Sequence, residues 1–128
     1  MNELQMGKLH RLMIVEDNML IRLDLEESLS ESGFTICATA RSGEEAIDKA
    51  QEAQPDLVLM DIGLKGEMTG IEAALILREQ LDVPIIFLSG NSDLKKDPMI
   101  AQIQPIAFVV KPVDTNDLIR LIQAQELE

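Results

Sequence analysis

Residues 57–61 read LVLMD, a run of apolar side chains closed by an acid, and the pattern recurs with variations along the chain. Runs at 12–15, 85–88 and 107–110 are equally short and nearly continuous in Val, Ile, Leu, Met and Phe, and 34–40 is rich in β-favouring residues. Such runs are too short for buried helices, and their unbroken apolar character suits strands covered on both faces, as in a parallel sheet. Segments of helical length separate them. The stretch 18–32 carries Ile21, Leu25 and Leu29 at four-residue spacing, with Gly33 at the expected stop. Ser42 with Glu45, and Thr69 with Glu72, read as capping boxes that open a second and a third helix. Pro98 and Pro105 confine the fourth helix to about 97–104, because proline is accepted in a first helical turn and breaks an interior. A last helix is expected over 115–125, with Asp114 and Asp117 at its positive end. Five β-α units imply right-handed crossovers and helices on both faces of the sheet.

The whole chain has 128 residues, 46% of them hydrophobic and 27% charged, which is one domain's worth, with a core expected over about 11–125. Cys37 is the one cysteine, so no disulfide framework or cysteine metal site is possible, and it is expected to pack in the core, as is Met60. His10 reads as a surface or tail residue without a partner. The formal charge of -12 disfavours direct contact with nucleic acid or an anionic membrane. No apolar run approaches the roughly 20 residues of a membrane helix, and the start MNELQMGKLHR has no secretory apolar region, so a cytoplasmic setting is expected.

In a doubly wound sheet, ligands bind beyond the carboxyl ends of the strands. There this chain places Glu16 and Asp17 after the first run, Asp61 after the third, Ser89 after the fourth and Lys111 after the fifth. Alone, each has a plainer reading: an Asp after a strand is usually a cap or turn residue, Ser89-Gly90 a turn, Lys111 a surface lysine. Together they are the donor set of phosphoryl transfer. Neighbouring carboxylates repel one another unless a cation sits among them, which points to Mg²⁺, with Asp17 and Asp61 as direct ligands and Glu16 acting through water.

The motifs LMIVED, LVLMD, IIFLSG and FVVKP together resemble the receiver domain of two-component response regulators, over residues 12 to about 123. The resemblance implies a flavodoxin-like α/β fold of strand order 2-1-3-4-5, with Asp61 as phosphoacceptor and Glu16 and Asp17 as the acidic pair holding Mg²⁺. It further implies that the Gly63 carbonyl completes the metal shell, that Lys111 contacts the phosphoryl group, and that Ser89 is the switch hydroxyl. Phe108 would be the aromatic whose rotamer follows phosphorylation, although a phenylalanine in an apolar strand also reads simply as core. The Lys111-Pro112 bond would be cis. A histidine kinase or histidine phosphotransfer protein would supply the phosphoryl group, and water would slowly remove it. Such a domain is a signalling phosphoacceptor rather than an enzyme. No basic DNA-binding segment follows the fifth helix, so output is expected through a protein effector or a further domain, with the tail QAQELE as a route onward.

The chain departs from the usual receiver pattern in three places: the loop IGLKGEMTG after Asp61 has no proline and one residue more, IQPIAF precedes the fifth strand, and Pro98 interrupts the fourth helix. Three other readings stay open. An aspartyl phosphohydrolase would carry a second Asp two residues after the nucleophile, where this chain has Gly63; a flavodoxin-like carrier would carry a phosphate-cradling loop where it has EDNML; an inert receiver would lack part of the five-residue set.

Overall fold

The computed structural model describes residues 9–64 and 66–125. The start at 1–8, Lys65 and the last three residues of the tail lie outside the described residues, and with them part of what the sequence suggested for both ends and for the loop after Asp61.

Strands β1 (Arg11–Val15), β2 (Thr35–Ala40), β3 (Leu57–Asp61), β4 (Ile85–Ser89) and β5 (Ala107–Val110) form one parallel sheet in the order β2-β1-β3-β4-β5. Between them run α1 (Met19–Glu31), α2 (Gly43–Ala53), α3 (Gly70–Leu81) and α4 (Pro98–Ile103), and α5 (Thr115–Gln125) ends the described chain. A 3-10 turn at Ser92–Lys96 precedes α4, and Pro98 opens that helix as its first residue.

Alternation along the strands divides the core. Met13, Val15, Val58, Met60, Ile85 and Phe87 face α2, α3 and α4, whereas Leu12, Ile14, Leu57, Leu59, Ile86 and Leu88 face α1 and α5. β1, β3 and β4 are therefore apolar at nearly every position, as double-faced burial demands. The stripe on α1 buries Leu25 and Leu29 and half-buries Ile21, while Met19, Leu20 and Leu23 on its remaining surface are exposed.

Helix ends explain the segmentation. α1 stops in a Schellman motif, with Phe34 N–H on the Leu29 carbonyl and Gly33 N–H on that of Ser30, while Gly33 takes φ +99°. Phe34 thus belongs to the cap, and β2 begins one residue later than the pattern suggested. Thr69 and Glu72 form a reciprocal capping box. Ser42 caps Glu45 N–H, but the Glu45 side chain accepts instead from Arg41 N–H at 2.7 Å, so that box closes one residue early. α2, α3 and α4 end on Gln54, Asp82 and Gln104, each left-handed with φ of 51° to 53°.

Two expectations need correction. Cys37 is half-buried rather than core, because the β1–β2 register shifts between Leu12 and Met13, and Cys37 is the residue skipped on the edge strand. His10 has partners: its Nε2 lies 3.0 Å from Thr35 Oγ1, and its N–H donates to Asp56.

Gly70 positions the functional edge. A Cβ there would fall 2.2 Å from the Asp61 carbonyl oxygen, so only glycine lets α3 start against the end of β3.

Candidate phosphoryl and metal site

The strand order brings the carboxyl ends of β1, β3, β4 and β5 side by side. Glu16 follows β1, Asp61 ends β3, Ser89 ends β4 and Lys111 follows β5. Among the described residues these supply all the buried polar side chains: Glu16 is 1% exposed, Asp61 3% and Ser89 3%. Buried polar groups are costly unless partnered. That all three collect at one strand edge marks this place as the one where the fold accepts that cost.

Lys111 offsets it. Its Nζ lies 2.9 Å from Glu16 Oε1 and 3.2 Å from Asp61 Oδ1, bridging elements 95 residues apart in sequence. Asp61 Oδ1 also accepts the Gly63 N–H at 3.0 Å. The second Glu16 oxygen accepts the Asn18 N–H at 3.1 Å, and Asn18 Oδ1 caps α1 through the Ile21 N–H. Burial pushes the Glu16 carboxyl above the ordinary range; the bonds from Lys111 and Asn18 pull it back, and the Asp61 charge raises it further. Burial alone would lower Lys111, but its bond to Glu16 and the charges of Asp61 and Glu16 outweigh that and hold the ammonium above the usual lysine value. The Lys111 direction is that of a cation set among more than one carboxylate, and the Glu16 direction is chiefly that of a buried acid.

Asp17 stands half-buried beside them. Carboxylate oxygens of Glu16, Asp17 and Asp61 lie within 4.8 Å of one another, an all-oxygen set suited to a hard divalent cation. Gly63 borders the same shallow recess, as do Asn18, Ile21 and Gly90. Ser89 bonds its own loop: its Oγ accepts the Asn91 N–H at 3.0 Å and donates to the Asn91 carbonyl at 3.2 Å. Phe108 is half-buried, its ring centroid 6.4 Å from that of Phe87, and it lines a separate groove between α4 and β5 with Ile100, Pro105 and Ile106. The Lys111-Pro112 bond is cis.

The structure therefore brings Glu16, Asp17, Asp61, Gly63 and Lys111 to one recess, ends the neighbouring strand β4 in Ser89 and places Phe108 in the separate α4–β5 groove. Sequence reasoning passed over Asn18 and Arg22. Asn18 was legible as a cap following two acids; Arg22, whose Nη1 donates to the Glu16 carbonyl at 2.9 Å, left no local signal.

Comparisons with known proteins agree with this picture. The family described as the response regulator receiver domain matches residues 12–123. The transcriptional regulatory protein PdtaR of Mycobacterium tuberculosis H37Rv is 36% identical over 113 residues, 88% of this chain and 55% of that protein. The chemotaxis protein CheY of Bacillus subtilis is 33% identical over 115 residues, 88% of this chain and 94% of that protein. Among solved structures, the signal receiver domain of a modulated diguanylate cyclase from Desulfovibrio desulfuricans G20 superposes with a TM-score of 0.83 at 32% identity, covering 91% of this chain and 92% of that one. The chain thus spans about half the length of PdtaR and nearly all of CheY.

Proposed function

This chain belongs to the response regulator receiver domain family, and from that premise we propose that it takes a phosphoryl group from a phosphohistidine onto Asp61 and reports the change through its surface. The observation that carries the reading is the collection of the buried polar side chains, Glu16, Asp61 and Ser89, at one strand edge beside Lys111. An Asp61 carboxylate oxygen attacks phosphorus, the P–N bond breaks, and its electron pair leaves on the histidine nitrogen; the product is an acyl phosphate. Lys111, already 3.2 Å from Asp61 Oδ1, is within reach of the charge spread over the phosphoryl oxygens. Glu16, Asp17 and Asp61, with the Gly63 carbonyl, would hold Mg²⁺, which supplies electrostatic neutralisation of the transferring group. Water attack on the acyl phosphate would later return Asp61 and inorganic phosphate.

Ser89 is the hydroxyl suited to follow the new charge, exchanging its bond to the Asn91 carbonyl for one to a phosphoryl oxygen. Phe108 walls the α4–β5 groove, so a change in its ring pose would alter a surface of this chain. That groove is the output face we assign to an effector protein or a further domain. We read residues 11–125 as one such domain, working in the cytoplasm. Among the described residues no helix is long and apolar enough to cross a membrane.

The direct test is the intact mass of the protein after incubation with Mg²⁺ and acetyl phosphate. A gain of one phosphoryl group, abolished by a chelator, is expected; turnover of small phosphate esters without retained label would move the reading to a phosphohydrolase. The donor's approach gives a second expectation. Asn18 and Ile21 border the recess, and Met19 (58% exposed), Leu20 (75%) and Leu23 (50%) continue outward from it as an apolar patch on α1. A histidine kinase or phosphotransfer protein seated over Asp61 covers this patch. Leu20→Glu should slow labelling by a phosphohistidine protein about tenfold while leaving labelling by acetyl phosphate unchanged. Equal slowing with both donors would count against docking there.

A further inference from the structure

We infer that Arg22 is a positioning residue for the acidic pair, holding the turn through Glu16 and Asp17 in the conformation on which cation binding depends; this rests on the proposed role of Glu16, Asp17 and Asp61 as the cation's carboxylates. Glu16 lies one residue beyond the β1 ladder, and three of its polar atoms are already engaged. Its N–H donates to the Ala40 carbonyl, one carboxylate oxygen takes Lys111, and the other takes the Asn18 N–H. The fourth, its main-chain carbonyl, is served by neither sheet nor helix. The sheet has ended, and the first helical bond of α1 runs from Arg22 N–H to the Asn18 carbonyl. Arg22 Nη1 supplies the missing donor at 2.9 Å.

That choice is notable in a chain with 23 acidic and 11 basic residues. Arg78 and Arg120 each pair with a carboxylate, whereas among the described residues the Arg22 guanidinium, like that of Arg11 on the Ala53 carbonyl, pairs with none and bonds a backbone oxygen, which for Arg22 is that of the acidic pair itself. A guanidinium presents its donors in a rigid fork, so the contact fixes direction as well as distance. Asp17 is thereby clamped on both sides: Glu16 is tied to the first turn of α1 by Arg22, and Asn18 is tied by its bond to Glu16 Oε2 and by its own cap. Removing the clamp frees the peptide units that aim the two acids.

A second role for the same charge predicts the reverse. As a cation bonded to the main chain of the acidic pair, Arg22 would oppose a bound divalent ion, and its removal would tighten binding. Calorimetric titration with Mg²⁺ alone separates the two in wild type, Arg22→Met and Arg22→Lys, with amide hydrogen exchange at residues 16–18 and thermal unfolding measured without metal. Positioning predicts that Arg22→Met weakens Mg²⁺ about tenfold, the scale for partners that orient metal ligands. It also predicts that exchange at Asp17 and Asn18 quickens, and that Arg22→Lys recovers part of both, while the unfolding temperature hardly moves. Unchanged or tighter Mg²⁺ binding in Arg22→Met overturns the inference alone. A wild type that takes up no Mg²⁺ brings down the carboxylate reading and this inference together.

Discussion

Asp61→Asn is expected to gain no phosphoryl group under conditions in which the wild type gains one. The amide keeps the shape of the side chain, so the Gly63 N–H and Lys111 contacts can still form, but it withdraws the anionic oxygen that attacks phosphorus. Neighbouring acids should not replace it. Glu16 is 1% exposed and both its oxygens are engaged, one by Lys111 and one by Asn18. Asp17 is more accessible, and its carboxylate shares the cluster within 4.8 Å. Label persisting at the wild-type level would therefore move the acceptor to Asp17 or outside the site, and peptide mapping would say which. A thermal melt of the variant shows whether loss of label reflects lost chemistry or a lost fold.

Lys111→Met should combine the second-largest loss of labelling with a loss of stability. Removing a charge-stabilising donor commonly slows such chemistry about 100-fold, and that is the expected drop in the rate of acetyl phosphate labelling. In the resting protein the substitution leaves Glu16 and Asp61 without the cation they share, and stranding buried charge costs about 3 kcal/mol. The pH dependence carries a definite sign. The folded Glu16 carboxyl already binds its proton more tightly than an unfolded one, because it is buried. A group raised in this way favours the folded state below its unfolded value and loses that advantage as pH rises through its folded value. Without Lys111 the folded value rises further. The urea midpoint of Lys111→Met should therefore approach that of wild type at about pH 5 and fall away at about pH 8. Mg²⁺ should recover part of the deficit, since a ligand that binds only the folded state stabilises it. A variant that matches wild type in rate and in midpoint at both pH values would deny Lys111 both roles.

The strand ends were legible because a parallel sheet covered on both faces forces β1, β3 and β4 to be nearly continuous in apolar residues, so the first polar residue after each run is conspicuous. The proline rule located α4 to within a residue at each end, Asp97 and Gln104 proving to be its caps. Part of what escaped depends on contacts between distant segments and part on local competition. The position of Cys37 follows from how β2 registers on β1, which its own hexapeptide does not encode. The Ser42 cap was readable, yet whether Glu45 turned back to Ser42 or to Arg41 is decided by a local choice among competing N–H groups. The four-residue spacing in α1 identified the buried stripe and gave no warning that Leu20 and Leu23 lie on open surface. Within the site the residue types were legible and their bonds were not. Nothing around Lys111 announces a bridge to Glu16, and nothing around Arg22 announces a bond to a carbonyl six residues back.

Gln54, Asp82 and Gln104 hold a left-handed conformation that glycine adopts freely and other residues resist by about 1 kcal/mol. All three close helices at the edge of the sheet remote from Asp61, because in a parallel α/β layer each helix runs back to where the next strand begins. The molecule thus keeps two poles, one where reactivity is concentrated and one where conformational tension is left unrelieved. Thermal robustness can be adjusted at the second, with Gln104 the simplest place to begin, while the chemistry at the first is left as it stands.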